Sequence, residues 1–381
     1  MTGRFAHGLV IGKFYPPHAG HHHLIDTAAE HCALVTVVVA ASSVESIPVA
    51  CRAAWLREAH PQPNVVVAPV IDDIEIDYDD PEIWAAHVEV FRHALVLAHG
   101  AHGPEVDAVF SAEPYGPELA RRFAAEHVAI DPGRERHPVS GTMVRENPMA
   151  AWPWLTPAVR AYLAWRVVVV GAESTGTTTL ARALADHYAG RGGVWAATRW
   201  VPEYGRTYCE EKLALACRAA RAAGEPEPWL DDLHWEPEEF TLIAERQLAW
   251  EEAAARVGSP LLFCDTDALS TALWHERYLG TVSQDVLRVH ERARHDLWIH
   301  TSVDGMPFEQ DGWRDGEHVR HEMDRRFREE LADRGLPHVV VTGPHKARLA
   351  TAIQAVDALV AAGRPFAPPL QPRLRALGRE P

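Results

Sequence analysis

The stretch GKFYPPHAGHHHL, Gly12–Leu24, sets four histidines (His18, His21, His22 and His23) just behind the short apolar run HGLVIG. Read outward, that run is a buried strand ending at Gly12. The Pro16–Pro17 pair marks a loop, and a helix is expected from near Gly20. Strand, loop and helix in this order open a βαβ unit. Open α/β sheets bind ligands at the carboxyl ends of their strands, beside helix N-termini whose free N–H groups favour anions. His18 and His21 lie there, with Gly20 letting the backbone come close, and two imidazoles in that place suit a polyphosphate that gains charge during reaction. Consecutive histidines on a helix point about 100° apart, which argues against a convergent zinc set. His22 and His23 are therefore expected to be ordinary helix residues.

The alternation continues down the chain. LVTVVVAA, NVVVAPV and DAVFSA read as buried parallel strands, with VACRAAWLREAH and PEIWAAHVEVFRHALVLAHG as helices between them. The pattern implies a doubly wound parallel sheet. It restarts near residue 166 with RVVVVGAESTGTTTLARALADHY, a strand, a glycine-bearing turn and a helix. SPLLFCDTD, DLWIHTS and PHVVVTG follow as strands, and PEEFTLIAERQLAWEEAAARV as a helix with Phe240, Ile243, Ala244 and Leu248 on one face. The segment ENPMAAWPWLTPAVRAYLAW separates the two series. The expected organisation is a first domain over 1–164, a second over 165–364 and a flexible Pro/Arg-rich tail over 365–381.

Composition bounds the function. The 381 residues suit two or three domains at about 150 residues each. The net charge of -16 argues against nucleic acid as a partner, yet it leaves room for a locally positive pocket that takes small anions. Lys13, Lys212 and Lys346 are the only lysines, so one of three lies in the opening stretch. The five cysteines form no CxxC pair, no run reaches the about 18 apolar residues of a membrane span, and the start lacks the apolar core of a signal peptide. A cytoplasmic protein with no membrane partner is expected. The sequence leaves the oligomeric state open, a homo-oligomer included.

GKFYPPHAGH resembles the HxGH signature of the nucleotidyltransferase superfamily, with His18 and His21 as its histidines. Downstream, VSGTMVRENP is similar to the superfamily's S-x-T-x-x-R pattern through Ser140, Thr142 and Arg145. Ser140 and Thr142 can cap a helix and donate to phosphate, and Arg145 offers it a planar fork. In the second half, GAESTGTTTL resembles a P-loop through Gly171, Glu173, Ser174, Thr175, Gly176, Thr177, Thr178 and Thr179. With VPEYGR and LLFCDTDALSTALW, the whole is similar to the NadR-type bifunctional enzymes. The resemblance implies a Rossmann-like nucleotidyltransferase sheet followed by a P-loop kinase-like α/β domain.

It also implies roles. The first half would transfer AMP from ATP to nicotinamide mononucleotide (NMN), releasing pyrophosphate, with Mg²⁺ as the metal. His18 and His21 would hold the triphosphate, Lys13 and Arg145 would neutralise it, and Gly12, Phe14 and Gly20 would line the ATP site. The acidic loop IDDIEIDYDDPEIW and the face of Trp84 could favour the cationic nicotinamide, against the alternative of a solvated loop with Trp84 buried in its helix. The second half would phosphorylate ribosylnicotinamide, with Glu203 as base, Asp265 and Thr178 on Mg²⁺, and Arg206 on the substrate. The Glu203 and Asp265 roles could be exchanged.

One departure stands out, because Thr177 occupies the P-loop lysine position. Arg314, Arg320, Arg325 and Arg326 in DGWRDGEHVRHEMDRRF, or Arg206, could supply the missing charge. The competing reading is an adenylyltransferase whose P-loop half senses nucleotide without phosphorylating. Another acceptor for the first half, such as a phosphopantetheine or flavin phosphate, fits the attached P-loop half less well. A DNA-binding regulator fits poorly too, since a first strand near residue 7 leaves no room in this chain for the helix-turn-helix that some relatives carry.

Overall fold

Runs of β-branched residues become strands buried on both faces, and the helices between them cover those faces. The computed structural model describes residues 4–309 and 317–371. These residues form two units, 4–159 with 364–371, and 160–309 with 317–363. The expected boundary at 164 thus falls five residues earlier, within a helix.

In the first unit β1 (Phe5–Gly12), α1 (Ala19–His31), β2 (Cys32–Ala41), α2 (Val49–Ala59), β3 (Val65–Ile71), α3 (Pro81–His99), β4 (Ala108–Ser111), α4 (Gly116–Phe123) and β5 (Glu126–Ala129) alternate. Short helices α5 (Gly141–Glu146) and α6 (Pro148–Ala151) follow, and α7 (Pro157–Leu163) contains the boundary. The strands run parallel in the order β3-β2-β1-β4-β5. The order reverses beside β1, so the loop after Gly12 opens at the switch point where such sheets bind ligands. Leu9 and Val10 are fully buried on opposite faces of β1 and join separate apolar clusters.

The second unit runs β6 (Trp165–Gly171), α8 (Thr177–Ala189), β7 (Arg199–Val201), α9 (Tyr204–Ala223), α10 (Pro237–Val257), β8 (Leu261–Asp265), α11 (Ala268–Leu279), α12 (Gln284–Arg292), β9 (Leu297–Thr301), α13 (Glu317–Asp333), β10 (His338–Val341) and α14 (His345–Ala362). Its parallel order is β10-β9-β6-β8-β7, again with the first strand in the centre. Phe240, Ile243 and Ala244 of α10 are buried, and Leu248 packs against the same cluster as Phe240 and Ala244.

The segment after α14 was expected to be loose. Its described residues, 364–371, return to the first unit, where Phe366, Ala367 and Leu370 contact Tyr15, Ser46 and Lys13. The remainder of the expected tail, 372–381, lies outside the described residues. Among the described residues, no helix is long and apolar enough to cross a membrane.

Candidate functional site: two anion cradles

In the first unit, the loop after β1 turns at Phe14, whose φ of 46° lies in the left-handed region. Phe14 is buried, and its ring meets the His21 ring edge-on at 4.9 Å. His18 is the N-cap of α1, and the His18 and His21 rings stack with centroids 3.8 Å apart. The His18 backbone N–H donates to His21 Nδ1 at 3.3 Å. That bond leaves the ring proton on Nε2, so His21 is set as a donor beside the free N–H groups of the helix start. His18 Nδ1 is buried and hydrogen-bonds to none of the described residues. A buried polar atom of this kind at a helix N-terminus fits a site that a ligand completes.

Both imidazoles are neutral in the free protein. Burial, with help from Arg134, His22 and His137, lowers His18 to about 3. Burial and the neighbouring His18 hold His21 well below the usual histidine range. His22 points elsewhere: its Nδ1 is 2.8 Å from His60 Nε2, whose Nδ1 is 2.9 Å from Asp26 Oδ1. His23 turns toward His137, at 5.2 Å between rings. The histidine run therefore splits into a stacked pair, His22 turned to the buried His60, and His23 turned to His137, and it does not converge on one point.

The second motif meets the first at Tyr15. Arg145 Nη1 donates to the Tyr15 carbonyl at 2.7 Å and Nη2 to Thr142 Oγ1 at 3.1 Å, while Ser140 Oγ caps α5 by accepting from Met143 N–H at 3.2 Å. Gly141 eases this approach, since a Cβ there would lie a tight 3.1 Å from the Tyr15 carbonyl oxygen. The Tyr15 ring has the guanidinium of Arg52 at 4.4 Å and that of Arg145 at 5.1 Å. Arg52 is fully buried against Glu45 (2.5 Å) and the Lys13 carbonyl (2.9 Å). Lys13 Nζ stands 3.8 Å from the other Glu45 oxygen, and burial lowers its pKa. A bound phosphate would thus relieve a partly desolvated ammonium.

Trp84 requires a correction. It is buried with Leu9, Val88, Phe91 and Val109, its indole N–H donates to the Tyr78 carbonyl at 3.0 Å, and Arg122 covers its ring at 5.3 Å. Its face belongs to the core and is not offered to a nicotinamide. The acidic loop is likewise spent on local structure. Asp80 caps α3 through Glu82 and Ile83, Asp73 accepts from Ser42 and Ser43, and Asp72 contacts His87 at 2.6 Å.

In the second unit, Gly171 ends β6 and Gly176, at φ 82°, is the N-cap of α8. A Cβ on Gly171 would come within 2.2 Å of Thr301 Oγ1 and 2.7 Å of its carbonyl, so only glycine fits. Thr175 Oγ1 pins the loop to Ala172 O and Thr301 Oγ1. The loop borders a cavity of about 650 Å³ lined by Gly171, Glu173, Ser174, Gly176, Thr177, Thr178, Thr179, Glu203, Arg206 and Asp265.

Asp265 is raised to about 6 by burial, against the Thr178 and Thr177 hydroxyls that bond to it and the nearby Arg182 and Arg206. Glu203 is raised to about 7 by burial and then by the Asp265 charge, with Glu173 adding to the effect. Two carboxyls with raised pKa values beside a phosphate loop are suited to proton transfer and to holding a divalent cation.

The arginines expected to replace the lysine diverge. Arg320 is buried and donates to the Ser174 and Met306 carbonyls, at 3.3 and 3.0 Å. Arg325 pairs with Glu329 and Arg326 with Glu276, while Arg314 lies outside the described residues. Arg206 lines the cavity. Sequence reading missed Arg277 and His318 in the lining, and the aromatic wall of Trp235, Phe240, Trp274 and Tyr278. Trp235 stacks on Tyr278 at 5.9 Å and meets Phe240 at 5.5 Å. The density of Trp and Tyr between 229 and 278 was the signal available. Also missed was Arg348, which is buried and donates to the Thr175 carbonyl at 3.1 Å from beneath the loop.

Comparison with known proteins assigns the two halves separately. The Cytidylyltransferase-like family matches residues 9–147 and the AAA domain family matches 166–348. The Trifunctional NAD biosynthesis/regulator protein NadR of Escherichia coli (strain K12) is 24% identical over 308 residues, 77% of this chain and 68% of that protein. Its counterpart in Salmonella typhimurium is 24% identical over 306 residues, with the same shares. The chain is thus similar to the NadR proteins over most of its length. Two solved NadR structures, one in complex with NR and one with NAD and AMP-PNP, share its fold at a TM-score of 0.66 and 22% identity, covering 95% of this chain and 97% of theirs. The NadR-type arrangement of a nucleotidyltransferase-like sheet followed by a P-loop sheet is what the two cradles occupy.

Proposed function

We propose that the first unit transfers AMP from ATP to NMN, giving NAD and pyrophosphate, and that the second phosphorylates ribosylnicotinamide with ATP. The observation that carries the reading is the stacked His18–His21 pair at the start of α1, behind a turn whose Tyr15 carbonyl holds Arg145, at the switch point of a parallel sheet. Relatives of the same type are named for NAD biosynthesis, and a solved neighbour holds NAD and AMP-PNP.

In the first reaction a phosphate oxygen of NMN attacks the α-phosphorus of ATP, and the bond to the bridging oxygen of the β-phosphate breaks. No protein nucleophile is required. The work is positioning and charge stabilisation. His21 donates from Nε2, the N–H groups of α1 add their dipoles, and the Arg145 fork and Lys13 face the triphosphate. Gly12 and Gly20 keep backbone close to the nucleotide, and Ser140 and Thr142 hold the α5 start on which Arg145 depends.

In the second reaction Glu203, poised near neutral pH, accepts the proton of a ribosyl hydroxyl as its oxygen attacks the γ-phosphorus and ADP leaves. The P-loop N–H groups of Ser174 to Thr179 cradle the phosphates. The buried Asp265 carboxyl and the Thr178 hydroxyl fit Mg²⁺, a hard cation that takes few protein ligands. When bound there it would neutralise phosphate oxygens. The product of this site, NMN, is the substrate of the first. The cysteines are all unpaired, which supports a reducing, cytoplasmic setting.

The absent P-loop lysine keeps a second reading in view, a nucleotide-sensing half without kinase turnover. Incubation with ATP, Mg²⁺ and either NMN or ribosylnicotinamide, followed by chromatography, tests both. NAD from NMN is expected, and NMN from ribosylnicotinamide at about 1 s⁻¹ or faster marks a true kinase. Folded protein that makes no NAD would defeat the first assignment. Protein that makes NAD but never NMN would establish the sensing half.

A further inference from the structure

The segment after α14 touches the adenylyl-transfer cradle at residues already placed in it. Phe366 meets the Tyr15 ring edge-on at 6.1 Å. The Ala367 peptide is held at both ends: its carbonyl accepts from Tyr15 Oη at 2.9 Å, and its N–H donates to Ser46 Oγ at 3.2 Å. Tyr15 Oη and Ser46 Oγ are themselves 2.7 Å apart, so the three groups close a ring. Farther on, the Leu370 carbonyl accepts from Lys13 Nζ at 3.0 Å. Pro365, Pro368 and Pro369 flank these contacts and stiffen the segment, which lowers the entropy lost on ordering it.

Resting on the adenylyltransferase reading, we propose that residues 366–370 form a positioning strap that belongs to the catalytic architecture of the first unit. One route runs through Lys13. An ammonium has three donors, and the Leu370 carbonyl takes one, which aims the other two while Glu45 balances the charge from 3.8 Å. The other route runs through Tyr15. Its hydroxyl is locked by Ser46 and Ala367, its ring lies against Arg52 and Arg145, and its carbonyl holds Arg145 Nη1. Fixing the Tyr15 hydroxyl therefore fixes the residue on which the Arg145 fork rests. The strap touches none of the reacting atoms; it acts through Lys13 and Tyr15.

The test is kinetic and uses the full chain. Ala367→Pro removes the N–H that Ser46 accepts and disturbs the peptide held by Tyr15. NAD formation is measured against ATP concentration, with NMN saturating. The expected result is a fall of about 10- to 100-fold in kcat/KM for ATP, from displaced cradle groups, carried mainly by KM, with an unchanged thermal midpoint. A second variant ends at Gly363, and a peptide of residues 364–371 added back should restore part of the loss. Unchanged kinetics in both variants would overturn the strap, as would a gain in kcat/KM, which would mark the segment as a plug. A wild-type chain that forms no NAD would instead defeat the function on which the strap rests, so the two failures are separable.

Discussion

The turn from β1 to α1 and the turn from β6 to α8 occupy equivalent places in two parallel sheets, yet they prepare for phosphate in opposite ways. The first holds imidazoles kept neutral by burial at its helix start and, in the turn before it, Lys13, whose charge burial disfavours. The second holds carboxyls raised to about 6 and about 7 and has Thr177 where a P-loop carries its cation. Burial raises the free energy of whichever form is charged. The first cradle gains when an anion arrives, and the second gains when a proton or a metal cation arrives. This suits a site that meets a leaving pyrophosphate and a site that must take a proton from a hydroxyl.

The largest expected effect separates the two cradles. Glu203→Gln should lower ribosylnicotinamide phosphorylation by about 10²–10⁴-fold, the usual worth of a general base, and leave NAD formation from NMN unchanged. In the wild type the phosphorylation rate should rise as pH climbs through about 7, where Glu203 ionises. A variant with a wild-type rate would move the base role to Asp265. His21→Ala is the mirror experiment. Loss of a preorganised donor should cost about 10²–10³-fold in NAD formation with phosphorylation intact, and equal losses at both sites would collapse the distinction.

Thr177→Lys probes the departure itself. A charge-assisted bond to phosphate is worth about 1.5–3 kcal/mol, so KM for ATP in the phosphorylation reaction should fall about 10- to 100-fold. An unchanged KM would show that Arg206 and Arg277, which line the same cavity, already supply the charge.

Much of this was legible in the residues, for reasons of range. Valine-rich runs are buried on both faces and declare their strands without context. β5 has four residues and lies at a sheet edge, too short to show a pattern. His18, His21, Ser140, Thr142 and Arg145 could be found because their spacing within short motifs is local. The meeting of Lys13 and Tyr15 with Phe366–Leu370 joins residues some 350 apart in sequence, and no local signal encodes it. Trp84 was left between two readings that its spacing could have decided. Trp84, Val88 and Phe91 lie at i, i+4 and i+7 on α3, the spacing of a buried helical face.

The smallest effect sets the two units against each other in pH. In the first unit His18 and His22 are held at about 3 and about 4 by burial. Their unfolded counterparts titrate near 6.5, so stability present above that pH is lost on acidification, by about 1.4 kcal/mol per pH unit per site. In the second unit His295 goes the other way. Burial disfavours its charge, but Glu251, 2.7 Å from its Nε2, and Asp267, 3.8 Å from its Nδ1, outweigh burial and the opposing Arg166, and the pKa is raised. Its contribution is complete below about 6.5 and is lost as pH rises through the elevated value. Urea midpoints between pH 6 and 9 should therefore drift down, and His295→Gln should flatten that drift while leaving the acid-side loss in place. A drift that survives the substitution would place the alkaline sensitivity outside the Glu251–His295–Asp267 group.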